Sequence, residues 1–102
     1  MDLNVSNVTD RDRYEARDGE QVAGFLEYLE TTGTVTVLTH TEVSSEYEGR
    51  GVGSTLARHA LDDARDRGRR VLPLCPFVAE WLRRHPDYGD VVYEATPSTV
   101  SD

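Results

Sequence analysis

Three features of this 102-residue sequence combine residue types suited to chemistry: His40, Cys75, and the alternate glycines Gly49, Gly51 and Gly53. His40 lies late in an apolar, β-branched run, and an imidazole titrating near neutrality can take a proton from an attacking group. A hydrogen-bonded structural histidine near a strand end is the competing reading. Cys75 precedes Pro76, a residue suited to the first position of a helix, and the field of a helix N-terminus favours a thiolate. Its sulfur is then a nucleophile, a group lining a pocket, or an ordinary buried core cysteine. His59 falls at the margin of a helical apolar face, and His85 stands beside Pro86 at a helix end, where a cation suits the dipole. Both read as structural. No pair of histidines has metal-ligand spacing and a single cysteine adds nothing to one, so no metal site is expected.

The glycines follow the run Thr34 to Val43 and lead directly into a pattern that places Leu56, Ala60, Leu61 and Ala64 on one helical face. Gly68 closes the pattern where a left-handed C′ residue belongs. Strand, glycine turn and helix together aim unpaired amides at a bound anion, since the first helical turn has donors without internal partners. The natural donors are Gly49, Arg50, Gly51, Val52, Gly53 and Ser54, with Thr55 continuing into the first turn. A nucleotide P-loop requires a lysine after its last glycine, and this sequence has no lysine. A dinucleotide fingerprint requires glycine where Ser54 stands. A pyrophosphate loop of the form Q/R-x-x-G-x-G/A fits at Gly51 and Gly53 and departs at Glu48. A plain glycine turn without a ligand is the remaining alternative.

The elements that must hold these residues read in order. Residues 1–10 form a short lead-in strand. Arg13 to Arg17 alternates weakly, Asp18-Gly19 signals a hairpin turn, and Val22 to Tyr28 is a strand with apolar groups on both faces. Thr31-Thr32-Gly33 makes the next turn, and Thr34 to Val43 completes an antiparallel meander. After the first helix, Arg70 to Cys75 is a short buried strand in which Leu72 and Leu74 face opposite to Val71 and Pro73. Pro73 lacks an N–H, so the strand is defective on one side: either its neighbours splay there or the position is simply an edge. Phe77, Val78, Trp81 and Leu82 have helical spacing up to His85-Pro86, with Phe77 and Trp81 read as core packing. Tyr88 to Tyr93 is expected to add a last strand, and the chain from Glu94 is expected to fray.

The length suits one domain, residues 1–102 with a core over about 12–93. No run is long enough for a membrane span, and the N-terminus lacks the basic and apolar regions of a signal peptide. The lone cysteine favours a reducing compartment, so the cytoplasm is the expected location. The formal charge is -8, from 19 acidic residues against 11 basic ones, all of them arginine. That balance argues against nucleic-acid binding. It fits a basic partner, or the acidic surface of a halophile-like protein whose high salt screens self-repulsion.

Three blocks, THTEV at 39–43, YEGRGVGSTLARHALDDAR at 47–65 and VLPLCPFVAEWLRRHPDY at 71–88, together resemble the minimal, YjdJ-type branch of the GCN5-related N-acetyltransferases. The resemblance covers roughly residues 12 to 93. It implies an α/β (α+β) fold with a small mixed sheet, an antiparallel N-terminal meander, splayed central strands and two main helices. It also implies acetyl-CoA as donor, CoA as product, and a much reduced acceptor region. His40 matches the family's histidine before the pyrophosphate loop, and Cys75 matches its cysteine after the following strand. Glu48 stands where relatives carry arginine or glutamine, and a carboxylate there opposes a pyrophosphate unless it points outward or Arg50 offsets it.

On that resemblance the loop from Gly49 to Thr55 holds the pyrophosphate, and the amides of Glu42 and Val43 pair with the pantetheine arm as if it were a strand. Acyl transfer to an amine needs a polarised thioester carbonyl, removal of a proton from the ammonium, and stabilisation of the departing thiolate. A backbone N–H of the cofactor strand meets the first need and His40 the second. Tyr88 and Tyr93 are candidate proton donors for the third. Cys75 either forms an acetyl-cysteine or lines the pocket during direct transfer, which needs only positioning and proton removal. The expected acceptor is a primary amine, a small polyamine-like molecule or a protein lysine. A homodimer in which a second subunit supplies one pocket wall, and a non-enzymatic CoA-binding or protein-interaction module, are the alternatives.

Overall fold

The computed structural model describes residues 2–94. Five strands, β1 (Leu3–Val8), β2 (Arg13–Asp18), β3 (Gln21–Glu30), β4 (Val35–Val43) and β5 (Arg70–Pro73), form one sheet in chain order. The first four are antiparallel and β5 joins β4 in parallel. That parallel step needs a crossover, and α1 (Val52–Asp66) provides it. The lead-in segment is thus a full six-residue edge strand, and the meander has four strands rather than three.

The hairpin between β2 and β3 turns at Gly19, whose φ of +62° suits a residue without a Cβ. The end of α1 follows the glycine rule equally closely. Gly68 (φ +69°) donates to the Arg65 carbonyl and Arg69 N–H to the Ala64 carbonyl, the two bonds of a Schellman closure. The guanidinium of Arg69 then reaches the carbonyls of Gly33 and Val35, which fastens the helix end to the β3–β4 turn.

One face of the sheet carries the core. Tyr14, Ala16, Leu26, Tyr28 and Leu38 meet Leu56, Ala60, Leu61 and Ala64 of α1 there, with Val78 and Trp81 from α2 (Pro76–Arg84). Each large aliphatic group fully removed from water contributes about 1.5–3 kcal/mol. Gly24 permits the close approach of α1: a Cβ there would stand 2.8 Å from the Glu42 carbonyl oxygen and 3.0 Å from Val52 Cγ1. The opposite face has no helix over it among the described residues. Glu15, although on that face, is only 1 % exposed, because Arg13 and Arg17 close over it with contacts of 2.7 and 2.9 Å.

The expected strand over Tyr88 to Tyr93 does not form. Pro86–Val91 is a 3-10 helix, and only a single parallel bridge, Val71 to Val92, follows it. The reason is local: Tyr88 turns inward to donate to Asp62 of α1, which needs a coiled rather than extended backbone. Of the tail expected to fray, residues 95–102 lie outside the described residues. β5 also stops short, since Leu74 is bent away from the sheet and exposed.

Candidate functional site

The site begins where β4 and β5 part. They pair from Val35–Arg70 to Leu38–Pro73, and β4 then runs on alone to Val43. At the fork, the Leu38 carbonyl accepts from both Leu74 N–H (3.0 Å) and Cys75 N–H (2.9 Å). Arg70 and Leu74 N–H point at β4, bonding Thr34 O and Leu38 O, and the Val71 carbonyl accepts from Tyr93 on the other side, so the missing N–H of Pro73 faces away from β4. A one-residue bulge at Thr39 coincides with the fork, where the pairing jumps from Tyr28–Leu38 to Glu27–His40. The strands part here, but Pro73 is not the cause: its missing N–H lies on the other side of β5, which is the edge reading of that residue.

Alternation along β4 decides which groups face the gap. Ser44 N–H donates to the Ala23 carbonyl of β3, so Glu42 and His40 also direct their backbone groups at β3. Thr41 and Val43 direct theirs into the gap. Glu42, expected to offer its amide, is turned the other way, and Thr41 takes that place.

The glycine loop lies at the same end. Gly49 (φ +76°) and Gly51 (φ +79°) both adopt left-handed backbone, and Gly51 caps α1 without any side-chain cap. The first helical bond is Thr55 N–H to Gly51 O, which leaves Val52, Gly53 and Ser54 N–H outside the ladder. The Thr55 hydroxyl also donates to Gly51 O. Ser54 Oγ accepts from Trp81 Nε1 at 2.7 Å and keeps its own proton for an outside partner. The Tyr47 hydroxyl anchors the loop to Asp18, and the Arg50 guanidinium lies 5.8 Å over the Tyr47 ring.

A cavity of about 350 Å³ sits on this loop, walled by Val43, Tyr47, Gly51, Ser54 and Phe77. Two neighbours of about 410 Å³ each continue it: one along Phe77, Trp81 and Arg84, the other past Val43 and Glu48 to Phe25 and Glu42. Phe77 is not core packing, as its spacing implied. It is exposed, with its ring against the start of α1, and a Cβ on Gly53 would stand 2.7 Å from its Cζ. Thr41 and Phe77 are the two residues that sequence reasoning passed over. The Pro76 helix start one residue before Phe77 was the available signal.

His40 and Cys75 occupy different faces. Cys75 is buried on the helix side, its Sγ 3.2 Å from Thr41 Oγ1, at the N-cap of α2. His40, one residue before Thr41, points to the helix-free face, where its Nε2 lies 3.7 Å from Glu42 Oε1 and its ring 6.2 Å from that of Phe25. The two are thus set on either side of the strand that borders the gap. His59 packs beside Tyr14, and His85 stacks on Trp81 at 3.7 Å with Nδ1 against the Trp81 carbonyl. The hydroxyl of Tyr88 is engaged by Asp62, and that bond, with burial, raises its pKa. Tyr93 is exposed. Among the described residues, no three His, Cys, Asp or Glu side chains converge as metal ligands, and no helix is long and apolar enough to cross a membrane.

A splayed parallel pair beside unpaired helix-start amides offers strand-like pairing and N–H donors at one end of the sheet. The chain belongs to the GCN5-related N-acetyl-transferase family, whose profile matches residues 13–91. Family chemistry is acetyl-CoA-dependent acyl transfer. A GCN5-like protein from Staphylococcus aureus shares the fold with a TM-score of 0.71 at 21% identity, over 98% of this chain and 97% of that one. An IAA acetyltransferase from Bacillus cereus is similar over 60% of this chain and 41% of its own, with 29% identity and a TM-score of 0.53. A ribosomal-protein-alanine N-acetyltransferase from Brucella melitensis is similar over 94% and 71%, with 20% identity and a TM-score of 0.57. No curated protein matches the chain.

Proposed function

We propose that this protein transfers the acetyl group of acetyl-CoA to a primary amine by direct attack in a ternary complex. The observation that carries the reading is the β4–β5 fork at the same end of the sheet as the unpaired amides of α1, with a cavity between Val43 of β4 and the helix start. The residues fit the donor. Val52, Gly53 and Ser54 offer N–H groups, and the Ser54 hydroxyl a further donor, to a pyrophosphate. Thr41 and Val43 offer strand-like pairing to the amide-bearing arm. Phe77 covers it from the α2 side.

When bound, acetyl-CoA supplies an activated acyl group on a thiol leaving group. A β4 amide in the gap polarises the acyl oxygen. His40 takes the proton of the attacking ammonium, directly or through one water. Cys75, held against Thr41, lines the acyl end from the helix side and needs no covalent role. Glu48 is exposed and borders the cavity next to Phe25 and Glu42 as well as the loop, so its carboxylate can turn away from the pyrophosphate.

The acceptor is a small polyamine-like amine or a protein lysine, in the cytoplasm, and the placing of His40 and Cys75 supports the minimal, YjdJ-type branch. A second reading, a module that binds acetyl-CoA without turnover, is favoured by one observation: around His40 the helix-free face offers little wall for an acceptor. A homodimer would supply that wall. Calorimetry with acetyl-CoA against sulfate, then thiol release across an amine panel with wild type and His40→Ala, tests these readings. Preferential binding with His40-dependent release is expected. Binding no tighter than sulfate would remove the donor site, and binding without release would favour the non-enzymatic module.

A further inference from the structure

The helix-free face of the sheet holds a connected series of contacts that ends on His40. Glu15 is almost fully buried there and takes Arg13 through Nε at 2.8 Å and Nη2 at 2.7 Å. Arg17 holds the other carboxylate oxygen at 2.9 Å. So fixed, the Arg13 guanidinium lies over the Phe25 ring, with Cζ 4.3 Å from its centroid. That ring lies beside the His40 imidazole, 6.2 Å between centroids and 57° between planes. Phe25 stands directly opposite Glu42 and diagonal to His40 across the β3–β4 ladder, which places all three on one face.

We propose that Arg13 and Phe25, anchored by Glu15, are positioning residues that hold the His40 imidazole at the mouth of the β4–β5 gap. The inference rests on the reading of His40 as the proton acceptor. An imidazole more than half exposed on a bare sheet face has several rotamers open to it, and proton transfer requires one. The Phe25 ring closes one side, and Glu42 Oε1, 3.7 Å from Nε2, bounds another. Phe25 in turn needs a fixed ring plane, which the guanidinium above it provides. Arg13 owes its own place to a buried carboxylate shared with a second arginine, so the series starts from a rigid point.

The test uses the full chain with acetyl-CoA as donor and spermidine as acceptor, comparing wild type, Phe25→Leu, Phe25→Tyr and His40→Ala. Phe25→Leu keeps apolar volume and loses the ring, and Phe25→Tyr keeps the ring. Positioning predicts that Phe25→Leu lowers kcat about tenfold with the KM for acetyl-CoA unchanged, and that Phe25→Tyr restores it. The His40 Cε1–H resonance, read in wild type and both Phe25 variants, moves toward the free-imidazole position in Phe25→Leu only. If kcat in Phe25→Leu equals wild type while His40→Ala is impaired, positioning is wrong and the proton-acceptor role stands. If His40→Ala matches wild type, both fail. Should wild type not turn over spermidine, the resonance alone decides, and an unmoved His40 signal in Phe25→Leu overturns the proposal.

Discussion

The hydroxyl of Thr41 lies 3.2 Å from the thiol of Cys75, linking the lone stretch of β4 to the N-cap of α2 across the gap between the central strands. On the proposed direct-attack reading, a thiol held in this way lines the gap and takes no covalent part. Intact-mass measurement after incubation with acetyl-CoA is expected to show no acetylated protein, and Cys75→Ala is expected to keep more than about a tenth of wild-type kcat, since positioning survives its loss. An acetyl adduct that disappears in Cys75→Ala would establish the covalent route instead.

Two glycines make opposite predictions. At Gly24 an added Cβ meets backbone, the Glu42 carbonyl at 2.8 Å, so Gly24→Ala is expected to destabilise the fold by about 1–3 kcal/mol in urea denaturation. At Gly53 the added Cβ meets only the tip of the exposed Phe77 ring, which can swing aside. Gly53→Ala should therefore change stability by less than about 1 kcal/mol while weakening acetyl-CoA binding, because the displaced ring no longer covers the loop. Equal effects of the two changes on folding would contradict this division.

Trp81→Phe removes the indole N–H that bonds Ser54 Oγ and keeps most of the ring packing. The expected result is a loss of about 1 kcal/mol in stability and a weaker affinity for acetyl-CoA, as the Ser54 hydroxyl loses its fixed orientation. Unchanged affinity in titration calorimetry would show that Ser54 does not contact the donor.

The arginine clamp on Glu15 predicts an acid limb. Burial alone would raise the Glu15 pKa, but hydrogen bonds from Arg13 and Arg17 outweigh it and hold the carboxyl below its ordinary value of 4.5. A depressed folded-state pKa means that the stabilisation is fully present above the unfolded value and is lost as pH falls through the folded one. Urea midpoints measured from neutral pH downward should fall less steeply in Glu15→Gln, which starts from a lower stability at neutral pH. Parallel curves would place the acid sensitivity elsewhere.

Local rules carried the sequence far where the physics is local. Gly68 announced the helix end, Pro76 the start of α2, and Asp18-Gly19 a turn. The 3-10 helix at Pro86–Val91 was hidden because its cause, the bond from Tyr88 to Asp62, spans two distant elements. The direction of the strand amides was hidden for a related reason. Alternation gives two sets of residues, but only the bulge at Thr39 and the pairing of Ser44 with Ala23 decide that Thr41 and Val43 face the gap. Phe77 read as core because helical spacing cannot tell an apolar face turned inward from one lying over a glycine loop.

The doubly accepting carbonyl of Leu38 has a consequence for how tightly a guest can be held. The Leu74 amide makes the last rung and the Cys75 amide turns back to the same oxygen, so β5 extends no further amide along β4 beyond the fork. An occupant displaces no rung of the sheet on arrival, and the protein recovers none on its departure. The free energy released at that slot can therefore be spent almost wholly on the guest.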